Sequence, residues 1–207
     1  VGDRAGAAVT TGTNNTLIGG LSGDAITTGA QNTAVGQGAL SANTTASENT
    51  AVGYNAGYSN TTGAENTAIG LRSLQTNTTG SRNTAVGRGA LLFNTTADNN
   101  TSVGYQSLYA NTTGAQNTAV GRNALDANTT ASENTAIGNS AMGNNTTGAE
   151  NTAVGSASLF ANTTGANNVA IGRDALKANT TASNNTAVGY QAGTAVTTGT
   201  LNTLIGS

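Results

Sequence analysis

The chain has 207 residues, of which 8% are charged and 3% aromatic, and its net charge is -2. That balance excludes the basic signature of nucleic-acid binders and the charge-rich signature of common disordered chains. With no His and no Cys, Ser-His-Asp and Cys-His catalysis, His or Cys metal sites and disulfide staples are excluded as well.

One pattern runs from end to end. A Val or Ile followed by Gly stands at Val1, Ile18, Val35, Val52, Ile69, Val86, Val103, Val120, Ile137, Val154, Ile171, Val188 and Ile205. Every step is 17 residues, so residues 1–207 read as a single array of twelve units plus a stub at 205–207. Strict periodicity of this length is the signature of stacked repeats, each burying its apolar face on the next. The expected fold is an all-β parallel β-solenoid with one coil per 17 residues. Twelve coils would stack to a rod of about 58 Å. No run of about 18 apolar residues is present, so no membrane-spanning segment is expected. The chain opens at Val1 rather than Met and reads as a processed product or a segment of a longer protein.

Counting the Val/Ile as repeat position 1, Gly fills position 2, Leu dominates position 6, and Thr-Thr fills positions 10 and 11. Asn fills position 15, Thr dominates 16, and Ala dominates 17. Every Asp, Glu, Lys and Arg sits at position 3, 4, 7, 13 or 14, which marks those places as solvent-exposed because unpaired buried charge is costly. Two short strands per unit are expected, around positions 5–11 and 15–1, with turns at 2–4 and 12–14. Alternation along those strands places 6, 8 and 10 inward, and also 16 and 1. Thr16, Thr33 and their equivalents then face the interior, while positions 9, 11 and 17 face outward. Uniform Ala on an outer face implies close approach of another chain. The thin interior, with one Val/Ile and at most one Leu per coil, also argues for an oligomer.

The terminal units differ from the rest. Position 9 is Asn in the middle of the chain but Val9, Ile26 and Val196 toward the ends, and Leu17 and Leu204 replace Ala. The segments 9–19 and 196–206 differ at one place, Asn14 against Leu201. Two readings follow: capping of an Asn ladder, or a head-to-tail joint made by Val9, Leu17, Ile26, Val196, Leu201 and Leu204.

Asn168-Val169-Ala170-Ile171-Gly172 resembles the repeat motif of YadA-like heads in trimeric autotransporter adhesins, and related repeats occur in phage tail fibres. Other units resemble it with Thr in place of that Val, as in Asn66-Thr67-Ala68-Ile69-Gly70. The resemblance covers essentially the whole chain. It implies a left-handed parallel β-roll, one repeat per turn, three chains side by side, and an extracellular adhesive fibre.

The functional expectation is therefore a structural and adhesive fibre protein, not an enzyme, with no cofactor. It would be a homotrimer with end-to-end self-association as a further option. It would meet a cell-surface, matrix or glycan target, without nucleic acid and without inserting into a membrane. Exposed aromatics give large contact area at low entropic cost. The candidate contacts are thus Tyr54, Tyr58, Tyr105, Tyr109, Tyr190 and Phe160, with Arg88, Arg122 and Arg173, all at positions 3 or 7. An ice-binding face of Asn-x-Thr rows at positions 9 and 11 is the alternative from another class. A glycan-binding or glycan-cleaving tail fibre, with acid pairs Glu48/Glu65 and Glu133/Glu150, is a minor one. The Asn-Thr-Thr triplets match the N-glycosylation acceptor, against a structural reading in which Asn and Thr bond along the stack.

Overall fold

The computed structural model describes residues 2–206; Val1, which opens the first repeat, and Ser207 lie outside them. The described residues form an all-β parallel β-solenoid with no helix. The chain divides into two compact units, Val1–Asn100 and Thr101–Ser207. The first holds β1 (Thr16–Ile18), β2 (Thr33–Val35), β3 (Thr50–Val52), β4 (Thr67–Ile69) and β5 (Thr84–Val86). Each pairs in parallel with the next, at a register of one repeat: Thr16 with Thr33, Leu17 with Ala34, Ile18 with Val35. The second holds β6 (Thr101–Val103), β7 (Thr118–Val120), β8 (Thr135–Ile137), β9 (Thr152–Val154), β10 (Val169–Ile171), β11 (Thr186–Val188) and β12 (Thr203–Ile205). They are paired in the same way. Among the described residues no helix is long and apolar enough to cross a membrane.

Each coil has one strand, not two. The expected strand at positions 5–11 is a run of turns. The cause is backbone handedness: residues at positions 4 and 6 have positive φ, as at Asn123 (54°) and Leu125 (52°). A left-handed residue breaks the alternation of a strand, and successive side chains can then face the same side. Ala124 and Leu125 are both fully buried for this reason. The backbone of this wall is still paired along the stack, Leu125 N–H to the Ala141 carbonyl at 3.0 Å and Leu159 N–H to the Ala175 carbonyl at 2.9 Å. Position 14 is the third left-handed place, as at Glu133 (φ 61°).

The inside and outside of the strand are the reverse of the expected arrangement. Ala at position 17 is the buried residue, with Ala34, Ala51, Ala119, Ala136 and Ala153 all at 0% exposure. Thr at 16 and Val/Ile at 1 lie on the outer face: Thr16 is exposed, Thr33 half-buried, and Ile137 and Ile171 each 40% exposed. The interior between the strand and the 5–6 wall is narrow, and in most coils a methyl group fills it, with the small hydroxyl of Ser102 the exception in the middle of the chain. Position 17 is small because of its own coil, not because of a neighbouring chain. Position 8 also turns outward, most plainly at Phe93.

Asn at position 9 is buried too, where an outer row was expected. Two polar ladders fill the interior. At position 9, Asn77 Nδ2 donates to Asn60 Oδ1 at 2.8 Å and Asn94 Nδ2 to Asn77 Oδ1 at 2.8 Å. In the second unit the same chain of bonds runs through Asn111, Asn128, Asn145, Asn162 and Asn179. At position 15 the main-chain N–H of one coil donates to the Asn Oδ1 of the coil before, as from Asn49 to Asn32 (3.0 Å) and from Asn168 to Asn151 (2.9 Å). Burial of so many amides is sustainable because nearly all are bonded. Among the described residues the one buried side-chain polar atom without a partner is Asn179 Oδ1. The position that would supply its donor is Val196.

The terminal coils keep the same interior volume with different residues. Position 6 is Gly rather than Leu at Gly6, Gly23, Gly57 and Gly193; in the three terminal coils position 9 is then Val9, Ile26 or Val196, whereas the Gly57 coil keeps Asn60. A Cβ added at Gly6 would lie 2.8 Å from Leu17 Cδ1, and one at Gly193 2.5 Å from Leu204 Cδ1. The Leu at position 17 thus occupies the space that a position 6 Leu fills elsewhere, a volume-conserving exchange.

Candidate contact surface

The glycine at position 2 fixes the site's geometry. Gly121 has φ +136°, and an added Cβ would lie 2.4 Å from the Gly138 carbonyl oxygen. The coils approach each other so closely there that position 3 is held at a fixed step. Main-chain bonds continue the ladder past the strand: the N–H at position 4 donates to the position 3 carbonyl of the preceding coil. In the second unit these bonds run from Asn123 to Tyr105, Ser140 to Arg122, Ala157 to Asn139, Asp174 to Ser156 and Gln191 to Arg173, at 2.9–3.0 Å.

Position 3 therefore presents a column of side chains. Tyr54 and Arg88 in the first unit are exposed, as are Tyr105, Arg122, Arg173 and Tyr190 in the second. Arg122 Cζ lies 5.9 Å from the Tyr105 ring centroid, and Arg173 Cζ lies 6.0 Å from that of Tyr190, so each cation sits on a neighbouring ring face. Two of the three position 7 aromatics are more enclosed. Phe160 is half-buried, with its ring 3.0 Å from where a Gly143 Cβ would stand. Tyr109 is half-buried; Tyr58 is exposed but lies near Gly38.

Charges flank this column. Asp174 is buried, unlike the exposed place expected for position 4. Its carboxylate accepts from Lys177 Nζ at 2.8 Å and lies 3.3 Å from Arg173 Nε. The Lys177 bond, then the two positive charges, hold its pKa below the usual carboxylate value against the opposing effect of burial. Asp126 is pushed the other way, chiefly by desolvation, and its bond from Asn123 Nδ2 (3.2 Å) only partly offsets that. Glu48, Glu65, Glu133 and Glu150 are exposed on the position 14 turns. Among the described residues no group of acidic side chains is placed to hold a metal ion.

The proposed end-joint residues fall into two groups. Ile26 is fully buried, while Leu17, Val196 and Leu204 are half-buried against their own coils. Val9 is 37% exposed, and Leu201 stands out at 80%. The Asn of each Asn-Thr-Thr triplet is buried, with its Nδ2 engaged inside the coil as at Asn145, so the folded chain has no room for a sugar there. Residue type alone does not single out Asn139 and Ser156, which complete the second unit's position 3 column, or the outer Thr and Val/Ile columns. Reading positions 3, 16 and 1 as columns would have found them. Comparison with known families, with curated proteins and with solved structures gives no match for the chain.

Proposed function

We propose that the chain is an extracellular structural and adhesive fibre protein, assembled as a homotrimer through its outer strand face. The observation that carries this is the column of β-branched apolar side chains left outside a closed coil. In the second unit it includes Ile137 and Ile171, with Val188 at 38% exposure. A regular apolar stripe on a surface marks a protein contact, and Thr at position 16 adds a polar margin to it. The resemblance to trimeric adhesin heads supports a count of three and an extracellular place. The exposed position 3 column then serves attachment. Light scattering after size exclusion tests the assembly: three times 20.1 kDa is expected, and a monomer refutes it. Ile137→Asp should dissociate the assembly while leaving the coil intact.

The same face supports a second reading. Regular hydroxyl and methyl columns on a rigid parallel sheet suit ice binding, but through Thr-x-Val/Ile rather than the Asn-x-Thr rows, whose Asn is buried. The two readings exclude each other, because a trimer covers the face that ice would need. Thermal hysteresis from a monomeric solution would favour ice.

A further inference from the structure

We infer that the position 3 column of the second unit binds a linear acidic polysaccharide along the coil stack. The column reads Tyr105, Arg122, Asn139, Ser156, Arg173, Tyr190, and all six side chains are exposed. Its order is a near-mirror: an aromatic and a cation at each end, an amide and a hydroxyl between them. The main-chain bonds from each position 4 to the preceding position 3 lock the row. Five coil steps of about 4.8 Å give a row about 24 Å long. The main chain of the row therefore has little ordering entropy left to lose on binding.

The chemistry selects the ligand. A pyranose ring and a coil step are of similar length, so successive sugars meet successive side chains. Tyr105 and Tyr190 are exposed rings, each with an Arg over one face, against which a sugar's C–H face can stack beside that cation, and Asn139 and Ser156 suit hydroxyls. Arg122 and Arg173 suit carboxylates, which guanidinium binds through paired hydrogen bonds. The row itself holds no acid, and Asp174 approaches Arg173 at Nε (3.3 Å), leaving that side chain 68% exposed. A nucleic acid is a poor fit, because its affinity comes from neutralising many phosphates, and the row has two cations in a chain of net charge -2. A row one residue wide also lacks the buried central cluster on which protein partners depend. In the first unit the column carries Gly20, Gln37, Tyr54, Leu71 and Arg88 after Asp3, and has no such order.

The inference rests on the attachment role proposed above, and the test separates the two. Binding of the purified chain to alginate, a linear polyuronate, is measured by affinity electrophoresis, with dextran and single-stranded poly(dT) as comparison probes. Alginate should be bound, dextran should not, and added salt should weaken the interaction. R122A/R173A and Y105A/Y190A should each weaken binding at least about tenfold, whereas R82A, which removes an exposed cation from a position 14 turn off the column, should leave it unchanged; circular dichroism confirms that each variant is folded. The inference is overturned if alginate is not bound, if dextran or poly(dT) is bound as well or better, or if the second-unit variants bind normally. A trimer that ignores alginate refutes the ligand and keeps the fibre. A monomer that binds alginate does the reverse.

Discussion

Truncating one rung of the inner amide ladder, Asn145→Ala, isolates what holds the coils together. Asn145 Nδ2 donates to Asn128 Oδ1 at 3.0 Å and to the Gly148 carbonyl at 2.9 Å, and its Oδ1 accepts from Asn162 Nδ2 at 2.8 Å. After truncation the Gly148 carbonyl keeps the bond from Asn134 Nδ2, and Asn162 Nδ2 keeps its bond to the Gly165 carbonyl. Asn128 Oδ1 is left buried without a donor. That orphan costs about 1–3 kcal/mol, and each of the other lost bonds up to about 1 kcal/mol. The total is about 1–5 kcal/mol, a large fraction of the stability of an ordinary domain. Urea denaturation followed by circular dichroism at one protein concentration reads the change. Thr147→Ala, on the exposed face of the same coil, should stay within about 0.5 kcal/mol. N128A/N145A should fall short of the summed single costs by about 1–3 kcal/mol, because the orphan leaves with its residue. An N145A cost below about 0.5 kcal/mol would refute the ladder as a source of cohesion.

Three further outcomes follow from the same geometry. Ala119→Leu should destabilise by about 1–3 kcal/mol through overpacking; adding L108G and L125G, which recreates the surroundings of Leu17, should cost less than the sum of the separate changes in thermal unfolding. Gly121→Ala places a methyl group 2.4 Å from a carbonyl oxygen at φ +136°, so it should cost more than about 3 kcal/mol and abolish cooperative unfolding of the second unit. Asp174 and Asp126 should respond to pH with opposite signs. The lowered pKa of Asp174 stabilises the fold above the unfolded value and is lost as pH falls through the folded one. D174N should therefore destabilise at pH 7 and match the parent in strong acid. The raised pKa of Asp126 means that its charge costs stability once pH exceeds the folded value, so D126N should stabilise at pH 7 and lose that advantage in acid.

The coil length, the parallel stacking and the burial of position 6 were legible because a strict period leaves no other arrangement of Leu40, Leu74 and Leu91. The phase of the strand was not legible in the same way. Three residues allow only two phases, and hydrophobicity favours the one that buries Val and Ile. Size argues for the other. Uniform Ala does mean that a surface approaches closely, but that surface is the wall of the same coil. The available signal was a partial covariation: Leu17 and Leu204 occur in coils whose position 6 is Gly6 or Gly193, although the Gly23 and Gly57 coils keep Ala34 and Ala68, and a shared interior accounts for the pairing. The left-handed Leu and the buried Asn at position 9 were hidden for a related reason, since propensity assigns neither residue to those places.

The reversed phase bears directly on the functional reading. A coil narrow enough to be filled by Ala, Leu and bonded Asn excludes its β-branched side chains. Val120, Ile137 and Ile171 then stand outside on a parallel sheet, where a solitary chain gains little by burying them. Strand propensity favours Val and Ile at that position, but Thr shares that propensity and would serve a wet sheet face equally well. On the function proposed above, the constraint that keeps it apolar acts outside the coil. The proposed partner and the alternative ordered water layer would each supply such a constraint, and the solution mass separates them: a trimer supports the first, and a monomer refutes it.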